Sequence, residues 1–549
     1  FRYVILQAVS KNGGHLSSNL GIVELTISLH RVFNLPEDKI LFDVGHQSYT
    51  HKLLTGRSLE NLRQKDGVSG FIKINESKFD CFEAGHSSTS LSAAQGMAIS
   101  RDLNKDKYNV IAVIGDASIS SGMAFEALND IGRRNNKVII ILNDNDMAIS
   151  KTSGALSMFL DNSASSLSPE NYFNSLGLAY IGPVDGHNFD DLEEALQKAK
   201  NAEKSVIVHV NTIKGKGYKP AEEDYKGIYH GVNPFDIDMS FLDENKNTWS
   251  KYYADLTSKF MENNKDIVCI CPAMITGSEL NDTFEKFHDR CFDVGIAEEH
   301  AITLASGFGL NGKHPVISIY STFLQRAIDQ VNHDLCRMSI SSTILVDHCG
   351  LIGNDGETHQ GIYDEGYLVS TPNTIVAMAS NKEEAKQLYE LSLQSKLPFF
   401  IRFPREICED FVINYLVKIE IGTAKMIRSN NSKNLLISMG PMIHKISKIV
   451  EKDNIDLDIL NCIFIKPLGE ENLKSILKYK NIFIYNPYST QYGLVNTIKG
   501  FLINNNYNGI VHTFCIPDSY IKQSSISEQL EDLCLSPDQL AAKIKFIID

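Results

Sequence analysis

Tryptophan is nearly missing from this sequence, which has one among 549 residues, and no two of its ten cysteines form a CxxC pair. The missing pairs exclude a zinc ribbon or a dithiol redox motif, and scattered thiols read as free in a reducing compartment. The closest two, Cys269 and Cys271, lie in an apolar run that reads as a strand. A basic surplus is also missing, since 53 Lys and Arg face 67 Asp and Glu for a formal charge of −14. Nucleic-acid affinity rests on clustered Lys and Arg, so no nucleic-acid partner is expected and any phosphate must be gripped locally. No stretch reaches the eighteen or so apolar residues of a membrane span, and the longest aliphatic run, Val138 to Leu142, is strand-sized. No membrane partner is expected. The chain begins at Phe1 inside a helix-like pattern, so a missing N-terminal piece is expected, with any targeting segment invisible and the location otherwise cytoplasmic.

What is present is an ordinary globular composition, 43% hydrophobic and 22% charged, over a length that calls for two or three cores. Between Val110 and Asn145 an apolar run (VIAVIG), an amphipathic stretch (GMAFEALNDIGRRN) and a second apolar run (KVIIIL) spell a βαβ unit, and SVIVHVNTIKG continues the series. A polar patch, DIDMSFLDENKNTWS, interrupts it, after which DIVCICPAM, SISSTILVDHCG and PFFIRFPRE begin a second α/β series. A third carries NLLISMG, NIFIYNP and GIVHTFCIP. The expected fold is therefore α/β, with three open, mostly parallel sheets in domains 1–245, 246–412 and 413–549. Gly307, Gly309 and Gly312 form a GxGxxG, but it ends a helix-like stretch and precedes the strand HPVISIY, the reverse of a dinucleotide fingerprint.

The strongest local signal is Gly115-Asp116 at the end of one strand and Asn145 at the end of the next. Ligands of open parallel sheets collect at the carboxyl ends of strands, and the helix after SISSG offers free backbone N–H groups to a phosphate. A hard cation such as magnesium takes oxygen ligands and shares itself with phosphates, so Asp116, the Asn145 amide and the Met147 carbonyl form a candidate set. Taken alone, Asp116 reads rather as a helix cap and Asn145 as a turn residue. Glu298, in FDVGIAEEHAIT, reads by itself as charge at a helix start.

The pair resembles the thiamin-diphosphate signature, GDG followed about thirty residues later by Asn, with Ala117 in place of the second glycine. The strings GGHLSSNLG, DVGHQSYTHKLLTGR, GHSSTSLSAAQGMA, YSTFLQRAIDQ, DGETHQG and IRFPRE resemble those of the 1-deoxy-D-xylulose-5-phosphate synthase family, in order, over residues 13 to 405. That resemblance implies a transketolase-type fold with diphosphate-binding, pyrimidine-binding and C-terminal domains. It implies thiamin diphosphate and Mg2+ as cofactors, pyruvate and glyceraldehyde 3-phosphate as substrates, and a homodimer with the cofactor between the first two domains. Glu298 would act on the aminopyrimidine, and His15 and His46 over the thiazolium. Gly85, His86, Ser87, Ser88, Gly115, Asp116, Ala117 and Ser118 would surround the cofactor, with Lys214 and His230 at the diphosphate. Asp116, Asn145 and Met147 would hold the metal, and Phe323 would stack on the pyrimidine. Tyr320, Arg326, Asp355, His359 and Arg402 would form the acceptor side, although Arg402 read alone is equally a salt bridge at a strand end.

Three departures from that family's pattern stand out. His348 replaces an arginine, so substrate affinity is expected to fall with rising pH. Ile328 replaces a tyrosine with a packing methyl. The region from Lys151 to Leu176 is tens of residues short. The alternative readings are a transketolase-like enzyme with a ketose donor, or a non-catalytic binding protein on the same fold.

Overall fold

The structure, a computed structural model, describes residues 1–145, 154–160, 168–238, 247–410, 418–469 and 473–549. Packing divides the chain into two compact units, Phe1–Asp243 with Val294–Ala297, and Glu244–Asp293 with Glu298–Asp549.

The first unit is built on five parallel strands: β1 (Lys39–Phe42), β2 (Val110–Gly115), β3 (Ile139–Asp144), β4 (Ala179–Asp185) and β5 (Val206–Asn211), in the order β1-β2-β3-β5-β4. The continuous apolar runs of β2 and β3 are buried on both faces, as parallel strands under two helical layers must be. Ala112, Ile114, Ile140 and Leu142 meet the helices Ser90–Asn104 and Gly122–Gly132 on one face. Ile111, Val113, Ile139 and Ile141 meet Val23–Val32 and Phe189–Asn201 on the other. The period of two along each strand thus feeds two cores at once.

The string DVGHQSYTHKLLTGR contributes a buried charge network beside β1. Lys52 donates to Glu76 at 2.7 Å and to the Phe71 carbonyl at 2.8 Å, and Arg57 forks onto Asp80 at 2.5 and 2.9 Å. His51 bridges Asp80 at 3.0 Å and His30 at 2.9 Å. Burial, reinforced by His51, pushes His30 down to about 4. Its folded value lies below its unfolded one, so this stability is present above about pH 6.5 and lost as pH falls through about 4. Urea unfolding at pH 7 and 4.5 is expected to show the parent losing about 2 kcal/mol more than His30→Gln over that interval, allowing for partial exposure.

The second unit holds two sheets, made from β6 (Ile267–Cys271), β7 (Cys291–Asp293), β8 (His314–Tyr320), β9 (Ser342–Cys349), β10 (Ile375–Met378), β11 (Pro398–Pro404), β12 (Ala424–Arg428), β13 (Asn434–Ser438), β14 (Asp458–Cys462), β15 (Phe464–Lys466), β16 (Asn481–Asn486) and β17 (Ile510–Cys515). One runs β15-β10-β11-β9-β8-β6-β7 and the other β12-β14-β13-β16-β17, and only the β15 and β12 pairings are antiparallel. Gly307 and Gly309 sit inside the helix Glu298–Leu310 and Gly312 just after it, which disposes of the dinucleotide fingerprint. All ten cysteines are free thiols. No described helix is long and apolar enough to cross a membrane.

Candidate active site

In the first unit, three histidines from distant parts of the chain converge. The helix Arg2–Asn12 stops at Gly13, whose φ of 73° favours glycine, and where a Cβ would lie 2.7 Å from the Val232 carbonyl. Backbone pairing of Gly14 with Val232, and of Ser17 with the Tyr229 carbonyl at 3.0 Å, lays the 229–232 segment against the GGHLSS turn. His15, His46 and His230 then form a triangle with ring centroids 5.3, 5.5 and 5.7 Å apart, and Phe71 lies 5.3 Å from His15. Burial holds His46 and His230 well below the usual histidine range, and the neighbouring cationic groups push the same way. Both rings are neutral at neutral pH, and their Nδ1 atoms are buried without a hydrogen-bond partner among the described residues.

Asp116 and Asn145 follow β2 and β3 at the carboxyl end of the sheet. Burial first, then repulsion from Asp144, raises Asp116 to about 8, and Lys214 opposes both. Asp116 Oδ2 and Asn145 Oδ1 are buried acceptors with no hydrogen-bond donor among the described residues, so two hard oxygen atoms are left for another partner. Met147 lies outside the described residues. Both donors are oxygens, so a hard, oxygen-ligated cation fits this set better than a transition metal. Ala117 is the second residue of the helical turn Asp116–Ile119, a conformation any L-residue adopts, so the lost glycine costs no backbone strain.

Lys214 reaches the same region because its loop packs on the helix Leu16–Gly21, which follows His15. A Cβ on Gly21 would come within 2.9 Å of the Ile213 carbonyl, and Gly215 N–H bonds the Ser17 carbonyl at 2.9 Å. His187 receives the Ile213 N–H at 2.9 Å and meets Glu24 at 3.1 Å. Burial pushes Glu24 up, but His187 and Arg2 outweigh it and hold the carboxyl at about 2. Burial lowers Lys214 to about 8 against the pull of Asp116 and Asp224.

The GHSS loop is tied down by Asp43, whose carboxylate accepts from Ser88 N–H at 2.7 Å and Ser90 N–H at 3.1 Å. Ser88 has a φ of 73° and donates its hydroxyl to the Ser118 carbonyl at 2.9 Å. Ser88 is therefore turned into the protein, joining the loop to the Asp116 turn, whereas Gly85, His86 and Ser87 lie along the preceding stretch.

In the second unit, Glu298 opens the helix Glu298–Leu310. Burial raises it to about 7, and Arg326, 3.8 Å away, partly counters the shift. Its Oε2 is buried without a hydrogen bond among the described residues. Beyond it runs a row of rings: His348 on Tyr320 at 3.8 Å, Tyr320 on Phe323 at 5.5 Å and 3°, and His359 edge-on to Phe323 at 5.8 Å.

His348, where the family pattern has an arginine, is held close to its own strand. Its φ is 59°, its Nδ1 meets Asp347 at 2.8 Å, and its ring face is spent on Tyr320. Ile328 is 37% exposed at a short helical turn, so its methyl groups are not packed as expected.

Arg402 requires a larger correction. It sits inside β11 with no exposure, forks onto Asp364 at 2.5 and 3.0 Å, and reaches Glu365 at 2.5 Å and the Tyr488 carbonyl at 3.2 Å. A guanidinium so enclosed has no donor left for a substrate phosphate. The neighbouring Arg405, one residue past the strand, is exposed and lies 3.5 Å from Asp355. Sequence reasoning missed it. The available signal was its position just beyond the carboxyl end of a central strand.

One unit thus carries an oxygen pair beside buried neutral histidines, and the other a buried glutamate poised near neutrality beside an aromatic row. These are the working parts of a transketolase-type, thiamin-diphosphate-dependent transferase. The family model described as 1-deoxy-D-xylulose-5-phosphate synthase matches residues 1–168 and 162–212, the transketolase pyrimidine-binding domain matches 245–409, and the transketolase C-terminal domain matches 422–540. The 1-deoxy-D-xylulose-5-phosphate synthase of Geobacillus sp. (strain WCH70) is 40% identical over 100% of this chain and 95% of its own length. That of Listeria monocytogenes serotype 4b (strain CLIP80459) is 41% identical over 99% of this chain and 92% of its own length. A transketolase structure from Campylobacter jejuni overlaps 99% of this chain and 98% of its own, at 17% identity and a TM-score of 0.47. The chain belongs to the 1-deoxy-D-xylulose-5-phosphate synthase family.

Proposed function

We propose that this chain joins pyruvate, with loss of carbon dioxide, to glyceraldehyde 3-phosphate, releasing 1-deoxy-D-xylulose 5-phosphate, and that the residues described above carry the reaction. The observation that carries this reading is Glu298, buried at a helix start and raised to about 7. Thiamin diphosphate, when bound, supplies a nucleophilic carbon and an electron sink. Glu298 holds and moves the proton at a nitrogen of the cofactor's ring, a task for a carboxyl whose ordinary value has been lifted into the working range. Arg326 sets how far that value rises.

Asp116 and Asn145 would hold Mg2+, with the Met147 carbonyl as a third ligand, and Lys214 would balance phosphate charge. His15, together with His46 and His230, which burial keeps neutral, takes and returns protons at the substrate oxygens. Asp355 and His359 orient the acceptor, and Arg405 grips its phosphate through paired N–H donors. A homodimer, and division into the three domains 1–245, 246–412 and 413–549, belong to the same reading.

The decisive assay follows carbon dioxide from pyruvate, with thiamin diphosphate and Mg2+, with and without glyceraldehyde 3-phosphate. Release strongly enhanced by the aldehyde, together with a phosphorylated pentulose, is the expected result. Transfer from ketose donors without carbon dioxide would establish the transketolase-like alternative instead. For the metal, Mg2+ with thiamin diphosphate is expected to raise the melting temperature of the parent by several degrees and of Asp116→Ala/Asn145→Ala by less than one degree, as read by calorimetry.

A further inference from the structure

His15 and His46 are brought together by a residue that has no chemistry of its own. Asn19 is fully buried, and its side-chain amide donates to the His15 carbonyl at 2.6 Å and to the His46 carbonyl at 2.7 Å. Its amide oxygen accepts the Tyr49 N–H at 2.8 Å, at the start of the helix Tyr49–Leu54. The ring of bonds closes through His15 N–H, which donates to the Tyr49 hydroxyl at 3.3 Å. One planar amide therefore spans two loops that are separate in sequence, one after the helix Arg2–Asn12 and the other after β1.

We infer that Asn19 is the positioning residue that fixes His15 against His46, so that the two imidazoles act on one substrate as a rigid pair. This rests on the reading of His15 and His46 as proton-transfer groups. Few side chains can replace this amide. Aspartate would set a carboxylate oxygen against two carbonyl oxygens, and leucine would strand both carbonyls and the Tyr49 N–H in a buried place. Serine donates once, so it can hold one loop but not both. A displacement of about 1 Å at a catalytic group costs on the order of a hundredfold in rate, and this brace limits such displacement.

The test uses the holoenzyme of Asn19→Asp and Asn19→Ser, with His15→Ala and His46→Ala in parallel. Both Asn19 variants are expected to lose ten- to hundredfold in kcat per bound cofactor, with KM for both substrates and Kd for thiamin diphosphate within about threefold of the parent. The acid limb of kcat should also move to higher pH, because loosened rings meet water and regain protons more easily. Mere loss of stability would not move that limb. Asn19 variants with parental kcat and pH profile, beside inactive histidine variants, would overturn the inference alone. Active histidine variants would overturn the reading on which it rests. Should neither Asn19 variant fold, Tyr49→Phe decides, since it removes one bond of the same ring: a several-fold fall in kcat with the same pH shift supports the brace, and a parental profile refutes it.

Discussion

Glu298→Gln is expected to lower turnover about a thousandfold while thiamin diphosphate still binds. The substitution keeps the shape and one hydrogen-bonding oxygen but cannot exchange a proton. Steady-state rates alongside cofactor titration check it, and a rate within tenfold of the parent would sink the assignment. Stability should move the opposite way. The parent carboxyl rises from 4.5 to about 7 on folding because burial disfavours its charge. Its favourable contribution is therefore present below about pH 4.5 and lost as pH climbs through about 7. Above that, the folded cofactor-free parent carries a cost of about 3 kcal/mol that glutamine avoids. E298Q should thus be the more stable protein at pH 8 and equal to the parent at pH 4. A group kept strained for its chemistry gives this signature.

The second large effect separates two arginines three residues apart. Arg402→Ala leaves Asp364 and Glu365 facing each other without their cation, and removing one partner of a buried pair costs about 3–5 kcal/mol. Arg402→Ala is expected to be destabilised enough to aggregate or to melt many degrees early. Arg405→Ala should melt within about a degree of the parent, yet raise KM for the phosphorylated aldehyde ten- to hundredfold, the loss of a charge-assisted hydrogen bond. Carbon dioxide release from pyruvate alone should be nearly unchanged in that variant. The reverse pattern, with Arg402→Ala stable and impaired only for aldehyde, would return the phosphate to Arg402.

The two arginines also mark where sequence reading stopped. The apolar runs of β2, β3 and β11 announced parallel strands because helices on both faces leave no polar side, and the α/β class followed. The same logic could have excluded Arg402: a cation inside PFFIRFP must find its partners within the core. Those partners, Asp364 and Glu365, come from YDEG, and spacing along a chain carries no information about which distant carboxylates will meet a strand. Asp116, Asn145 and Glu298 stood out in the sequence through their resemblance to a known signature, since each read alone is at home as a cap, a turn or a charge at a helix start. Asn19 and Asp43 did not, because a buried amide or carboxylate that ties backbone looks the same in sequence as one at a surface turn. The surroundings of His348 were hidden for a related reason. Its residue type suggested a titrating contact, and only the positive φ and the stack on Tyr320 reveal a buttress.

Strand β15 has a consequence for how this polypeptide can be divided. Although it follows β14 in the C-terminal region, it pairs antiparallel with β10 and closes that side of the central sheet. A chain cut near residue 413 would leave the β10 backbone with an open row of donors and acceptors, the kind of margin that recruits strands from other molecules. The C-terminal quarter is therefore not a cargo that can be trimmed away or exchanged. Fragments severed there should be soluble only when produced together, each supplying the border the other lacks.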